Sequence, residues 1–149
     1  RTMRSQFNPR RFVLDHGYDP YYAEPGVSSV ADPTLLLWHV RDEFGIGEPD
    51  IGFYPYWKNE QYVQLTPAHL KTSFHLKHGE RVQLVVSNFL RTQIDAKIQL
   101  NLPRLGLVGK RLVAYDALLS QPLEITGGVI RASLLPERYR VINVEVLEP

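Results

Sequence analysis

Leu70-Lys71-Thr72-Ser73-Phe74-His75-Leu76-Lys77-His78-Gly79-Glu80-Arg81-Val82-Gln83-Leu84-Val85-Val86-Ser87 is the stretch that decides the fold. Apolar and polar residues alternate through its first part, and a period of two places Leu70, Phe74 and Leu76 on one face, with Lys71, Ser73, His75 and Lys77 on the other. That is a half-buried strand. His78-Gly79 supplies a turn whose glycine takes positive φ at no steric cost, and Arg81 to Ser87 returns with Val82, Leu84 and Val86 inward. The two halves read as a β-hairpin.

The same period continues downstream. Ile94, Ala96, Ile98, Leu100 and Leu102 give a third strand, and Arg111 to Tyr115 a fourth. Leu123 to Thr126, Gly127-Gly128 and Val129 to Leu134 form a second hairpin, and Arg138 to Leu147 closes the set with Ile142, Val144 and Val146 on one side. With a further strand at Tyr62 to Leu65, about seven or eight short strands follow one another at roughly ten-residue spacing. No helical pattern lies between them, which predicts a mainly β protein, an antiparallel β-sandwich. Phe74, Val86, Ile98 and Val144, one inward residue from each of four strands, are expected in one core.

Upstream of residue 50 the texture changes. Residues 1 to 32 are broken by Pro9, Gly17, Pro20, Pro25 and Gly26 and read as an irregular arm. Asp32-Pro33 then offers a cap and a proline for the first helical position, and Leu36, Leu37, Val40 and Phe44 follow at helical spacing, so one short helix is expected over about 33 to 44. Gly45 and Gly47 stop it. The charge shifts at the same place: the first fifty residues carry 5 basic and 8 acidic side chains, the remainder 12 and 8. We therefore divide the chain into residues 1–50, an arm plus helix acting as a linker or the trailing part of a preceding domain, and residues 51–149, the β-sandwich.

At 149 residues, with 44% hydrophobic and 22% charged, the chain has the composition of one folded domain. A net charge of +1 leaves no excess of cations for a polyanion, so no nucleic-acid partner is expected. The longest apolar runs are about four residues, too short to cross a membrane as a helix. With no cysteine, disulfides, thiolate metal sites and cysteine nucleophiles are excluded. The compartment stays open on this count, with a bacterial secreted or periplasmic parent as the expectation. Opening on Arg1 rather than Met suggests one piece of a larger protein.

No nucleophile elbow, phosphate-cradling glycine loop or His-Glu-x-x-His motif is present. Asp15 and Asp19 are the best carboxylate pair for glycosidic acid/base work, but beside Gly17 and Pro20 they read more simply as turn residues. His69, His75 and His78 have no recognised ligand spacing, so neither a metal nor a cofactor is expected. Phe53-Tyr54-Pro55-Tyr56-Trp57 puts four rings in five positions. Such rings either stack on sugar faces or fill a seam between packed elements. We favour packing, with Tyr54, Tyr56 and Trp57 between sandwich and helix, Trp57 buried near Phe44 or Trp38, and Trp38 itself a core or docking residue.

Gly52-Phe53-Tyr54-Pro55-Tyr56-Trp57-Lys58-Asn59, then Ser73-Phe74, then Arg81 to Phe89 resemble the opening of the C-terminal β-sandwich that follows the (β/α)8 barrel in several glycoside hydrolases and their uncharacterised relatives. Asp116-Ala117-Leu118-Leu119, the Gly127-Gly128 hairpin and Leu134 to Arg140 are similar to the way those sandwiches end. The resemblance covers residues 50 to 147. It implies an accessory domain that is not an enzyme by itself, packing against a preceding catalytic domain of the same parent chain, where the catalytic carboxylates would sit. No catalytic residue is carried over. The alternative is a carbohydrate-binding module using Tyr54, Tyr56 and Trp57, and a third reading is a small free-standing enzyme built on Asp15 and Asp19.

Overall fold

The computed structural model describes residues 33–147. Helix α1 (Pro33–Phe44) comes first, followed by strands β1 (Gly52–Tyr54), β2 (Val63–Thr66), β3 (Lys71–Lys77), β4 (Arg81–Ser87) and β5 (Ile94–Leu100). A one-turn helix α2 (Leu102–Leu105) precedes β6 (Leu112–Asp116), β7 (Gln121–Thr126), β8 (Val129–Leu134) and β9 (Tyr139–Val146). All nine strands pair antiparallel in the order β1-β3-β4-β9-β6-β7-β8-β5-β2.

This run curls on itself, and β7 is the fold line. Gln121 to Leu123 pair with β6, whereas Glu124 to Thr126 pair with β8. One strand thus serves a front sheet (β1, β3, β4, β9, β6) and a back sheet (β8, β5, β2). The inward faces of both close on one core containing Phe74, Leu84, Val86, Ile98, Ile130, Leu134, Ile142 and Val144. Each of these is fully buried, which stabilises the fold by roughly 1.5–3 kcal/mol per side chain before entropy is counted. The sandwich and the common core of Phe74, Val86, Ile98 and Val144 are as the alternation predicts, and β4 and β8 have the predicted limits.

Two details differ. Nine strands form rather than seven or eight, because three residues of the ring-rich stretch pair with β3 as β1. Strand β5 ends at Leu100 instead of Leu102. There Asn101 accepts from the Arg104 backbone N–H through its side chain, starting α2, and Gly106 at φ 75° ends it. A Cβ at Gly106 would collide with the His78 ring and the Gly79 backbone. The expected irregular arm, with Asp15 and Asp19, and the expected Asp32 cap of α1 lie outside the described residues.

Candidate functional site

The ring-rich stretch divides between the inside and the outside of the sandwich. On β1 successive side chains point to opposite faces. Tyr54 therefore turns inward, stacking on Phe74 at 4.8 Å with the planes 10° apart and touching Tyr62 at 4.8 Å. Burial, and then Tyr62 beside it, raises the Tyr54 phenol above its ordinary pKa. Phe53 turns outward and lies 4.8 Å from the His75 ring.

Past Pro55 the chain leaves the strand, and Tyr56 and Trp57 sit on the turn. The turn is fixed by Asn59, a buried residue whose side-chain N–H group donates to the carbonyls of Tyr54 and Thr72 at 3.2 and 2.7 Å. The Tyr56 backbone N–H also donates to Ser73 Oγ at 3.1 Å. Tyr56 and Trp57 meet edge to face, centroids 5.0 Å apart at 88°, and Lys71 Nζ stands 5.9 Å from the Tyr56 ring centre. Trp57 is 65% exposed, Tyr56 51% and Trp38, on α1, 71%.

The expectation that Trp57 is buried against Phe44 or Trp38, with the ring cluster covering the helix, is therefore overturned. Helix α1 covers its stripe elsewhere: Leu36 and Val40 pack on Ala117, Leu118 and Val141 with Val85 and Tyr139 alongside, on the outer face of the front sheet. Two apolar side chains of adjacent strands, Val85 and Val141, are directly paired there. They present a better surface to an amphipathic helix than a turn carrying Lys58 does.

Polar side chains hold the helix in that position. Arg81, 2% exposed, donates to the Phe44 carbonyl from Nε at 3.0 Å and from Nη2 at 2.7 Å. Its charge thus sits at the negative end of the helix dipole, on a carbonyl with no partner inside the helix. Glu80 pairs with the same guanidinium, and Glu48 lies 3.6 Å from it. Gln83 donates to the Val40 carbonyl at 3.3 Å and to Asn143 Oδ1 at 2.9 Å. Asn143 donates on to the Tyr115 hydroxyl at 3.1 Å, which donates to Glu145 at 2.8 Å.

His75, Gln83, Asn143 and Tyr115 are successive cross-strand partners, so the network is one straight row over four strands. At its β3 end Arg41 of α1 donates to Gln83 Oε1 at 3.4 Å and lies 3.3 Å from His75 Nδ1. Burial, reinforced by the Arg41 charge, pushes the His75 pKa down to about 4. Burial also lowers Arg41 from its ordinary value. A neutral His75 is the form that accepts from a guanidinium. The row's centre consists of amides, which do not titrate, and what the arrangement does is position α1.

Asp116 is fully buried and likewise structural, its Oδ1 accepting from the backbone N–H groups of Leu118 and Leu119 at 3.0 and 2.9 Å. Among the described residues no group of three or more His, Asp or Glu side chains is close enough to hold a metal ion. At the back-sheet edge a groove of about 750 Å³ runs between β2 and α2, lined among others by Tyr62, Gln64, Gln99, Asn101 and Arg104. Sequence reasoning missed both this groove and the row; the signal for the row was the outward apolar pair Val85 and Val141.

No family model matches the chain, and no curated protein does. Among solved structures the chain is similar to alpha-L-fucosidase isoenzyme 2 from Paenibacillus thiaminolyticus, at 17% identity and a TM-score of 0.41, over 80% of this chain. The match spans 18% of that protein's chain.

Proposed function

We propose that this chain is a non-catalytic accessory β-sandwich of a larger glycoside hydrolase-like protein, leaning on a preceding catalytic domain of the same parent. The observation that carries the reading is the exposure of Trp38, Phe53, Tyr56 and Trp57 on and beside the front sheet, in a domain whose other large rings are mostly packed. Exposed apolar area of this kind marks a contact surface. The buried polar groups of the front sheet support the same reading, since their hydrogen bonds hold a helix in place. The sequence motifs over residues 50 to 147, similar to barrel-following sandwiches, support this class of parent.

A second reading, carbohydrate binding, has the exposed rings of Tyr56 and Trp57 in its favour. Tyr54, spent in the core, does not join them, and rings at 88° share no plane. A sugar face would therefore lie on one of them at a time. Titrating oligosaccharides while following Trp fluorescence separates the two. The accessory role expects a flat titration and no turnover of aryl glycosides by the isolated chain. A saturable shift that disappears in Trp57→Ala would favour the binding module.

A further inference from the structure

The groove at the back-sheet edge lies apart from the contacts that seat α1. It encloses about 750 Å³ between β2 and α2, within the size range of ligand sites. Its sheet side carries Gln64 and Gln99, directly opposite one another on β2 and β5. Each stands between residues that turn into the core, Val63 and Leu65 for one and Ile98 and Leu100 for the other, so the two exposed amides face outward side by side. Neither amide makes a hydrogen bond among the described residues. On the α2 side, Arg104 is exposed and holds its guanidinium over the Tyr62 ring, 5.9 Å from the ring centre. Among the described residues no carboxylate pairs with it, and Glu60, which also lines the groove, pairs with no cation. Asn101 ties the two sides together. Its side chain accepts from the Arg104 backbone N–H at 3.2 Å and donates to the Gln61 carbonyl at 3.1 Å, while its backbone N–H donates to the Tyr62 carbonyl at 2.8 Å. Walls fixed in this way are formed before a ligand arrives, and little entropy is lost on binding.

The lining sets the chemistry of that ligand. Each glutamine amide offers an acceptor oxygen and an N–H donor group, a match for neighbouring hydroxyls, which also donate and accept. An unpaired guanidinium matches a carboxylate, which it binds through two parallel N–H···O bonds. Glu60 adds an acceptor for a further hydroxyl. Neighbouring hydroxyls and a carboxylate on one rigid ring describe a uronic-acid sugar. Most of the lining is exposed, Glu60, Gln64, Gln99, Asn101 and Arg104 included, so the groove is open and fits a stretch of saccharide chain better than an enclosed small molecule. An acidic peptide shares the carboxylate but has no hydroxyls in fixed neighbouring positions for the amide pair to read.

We propose that this groove binds an oligosaccharide containing uronic-acid residues, with Arg104 on the carboxylate and Gln64 and Gln99 on the ring hydroxyls. The choice of a saccharide rests on the glycoside hydrolase-like reading, to which the proposal adds a site and the charge of the sugar. No tryptophan lines the groove, so the fluorescence titration above does not report on it. The test titrates the 149-residue chain with the trimers of galacturonate, glucuronate and mannuronate, beside neutral galactotriose and triglutamate, following backbone amide shifts by NMR. At least one uronate trimer is expected to shift the amides of residues 60 to 64 and 99 to 104 saturably. Galactotriose, without the carboxylate, and triglutamate, without the ring hydroxyls, should each bind at least about tenfold more weakly. Arg104→Gln and Gln99→Ala, both changes of exposed side chains, should each weaken uronate binding by about tenfold and leave the melting temperature unchanged. Three uronates without a saturable shift would overturn the proposal, as would variants that bind as well as the parent sequence or lose binding only together with folding. Galactotriose binding as tightly as the uronates would remove the carboxylate from the recognition, and triglutamate doing so would make the groove an acidic-peptide site; either result overturns the assignment. A glycosidase assay of the full-length parent tests the underlying reading separately. Uronate binding in a parent without hydrolase activity keeps the site and loses the reading, and an active hydrolase whose groove binds no uronate does the reverse.

Discussion

The outer face of the front sheet and the outer face of the back sheet are built from strands with the same alternation, yet one is buried and the other wet. On β5 and β8 the outward positions are Asp95, Lys97, Gln99, Arg131 and Ser133, and most of them are exposed. On β4 and β9 the outward positions Arg81, Gln83, Val141 and Asn143 are buried under or beside α1. What separates them is the apolar pair Val85 and Val141, enough to seat one helix, after which every polar neighbour had to find a partner or go unsatisfied. Burial of a polar residue is thus set by a neighbour two positions away more than by its own polarity.

The largest contrast between the faces is expected at Arg81. Arg81→Ala removes the cap of α1 and leaves Glu48 and the Phe44 carbonyl without their buried cation, and breaking a buried pair this way costs about 3–5 kcal/mol. Denaturant unfolding checks it. Leu36→Ala empties the helix side of the clamp, for about 2–4 kcal/mol, with faster amide exchange confined first to α1. Gln83→Leu keeps the volume but strands the Val40 carbonyl and Asn143, about 1–3 kcal/mol.

Acid acts on the same face. The unfolded chain protonates His75 near 6.5, while the folded protein holds the proton off to about 4. The unfolded state therefore binds more protons between these values, and stability falls as the pH drops through that window. Melting temperatures measured from pH 7 to pH 4 should decline less steeply in His75→Asn. The smallest effect belongs to the back sheet, where Arg131→Ala stays within about 0.5 kcal/mol of the parent sequence. An Arg131→Ala as costly as Arg81→Ala would mean that the back face too is covered.

Much of this architecture was legible in residue order. Strands β3, β4 and β8 declare themselves by alternation and by the glycine turns at Gly79 and Gly127-Gly128. Helix α1 does so by its Leu36, Val40 and Phe44 spacing. What the helix covers was not legible, because its partner surface consists of Val85, Ala117, Leu118 and Val141, brought together from three places in the chain by β4–β9 and β6–β9 pairing. Nearness in sequence pointed to the ring cluster instead, and Trp57 came out exposed. Leu102 looked like a fifth inward residue of β5 because period two continues through it. Asn101 and Pro103, a cap and a helix-starting proline, were the competing local signal and prevailed. Of the ring cluster, the inward turn of Tyr54 follows from strand parity only once Gly52–Tyr54 is known to be a strand, and three residues are too few for a pattern.

The strand shared by the two sheets has a consequence for how copies of this protein meet one another. A sandwich of two separate sheets has four open rows of backbone donors and acceptors, each a template for pairing with another molecule. Because β7 passes from one sheet into the other, the two outermost strands among the described residues are β1 and β2. These are the shortest strands, three and four residues long, and residues 55–62 connect them. With Phe89 and Trp57 exposed, outermost strands this short give, among the described residues, little edge backbone on which exposed apolar chains could begin to polymerise.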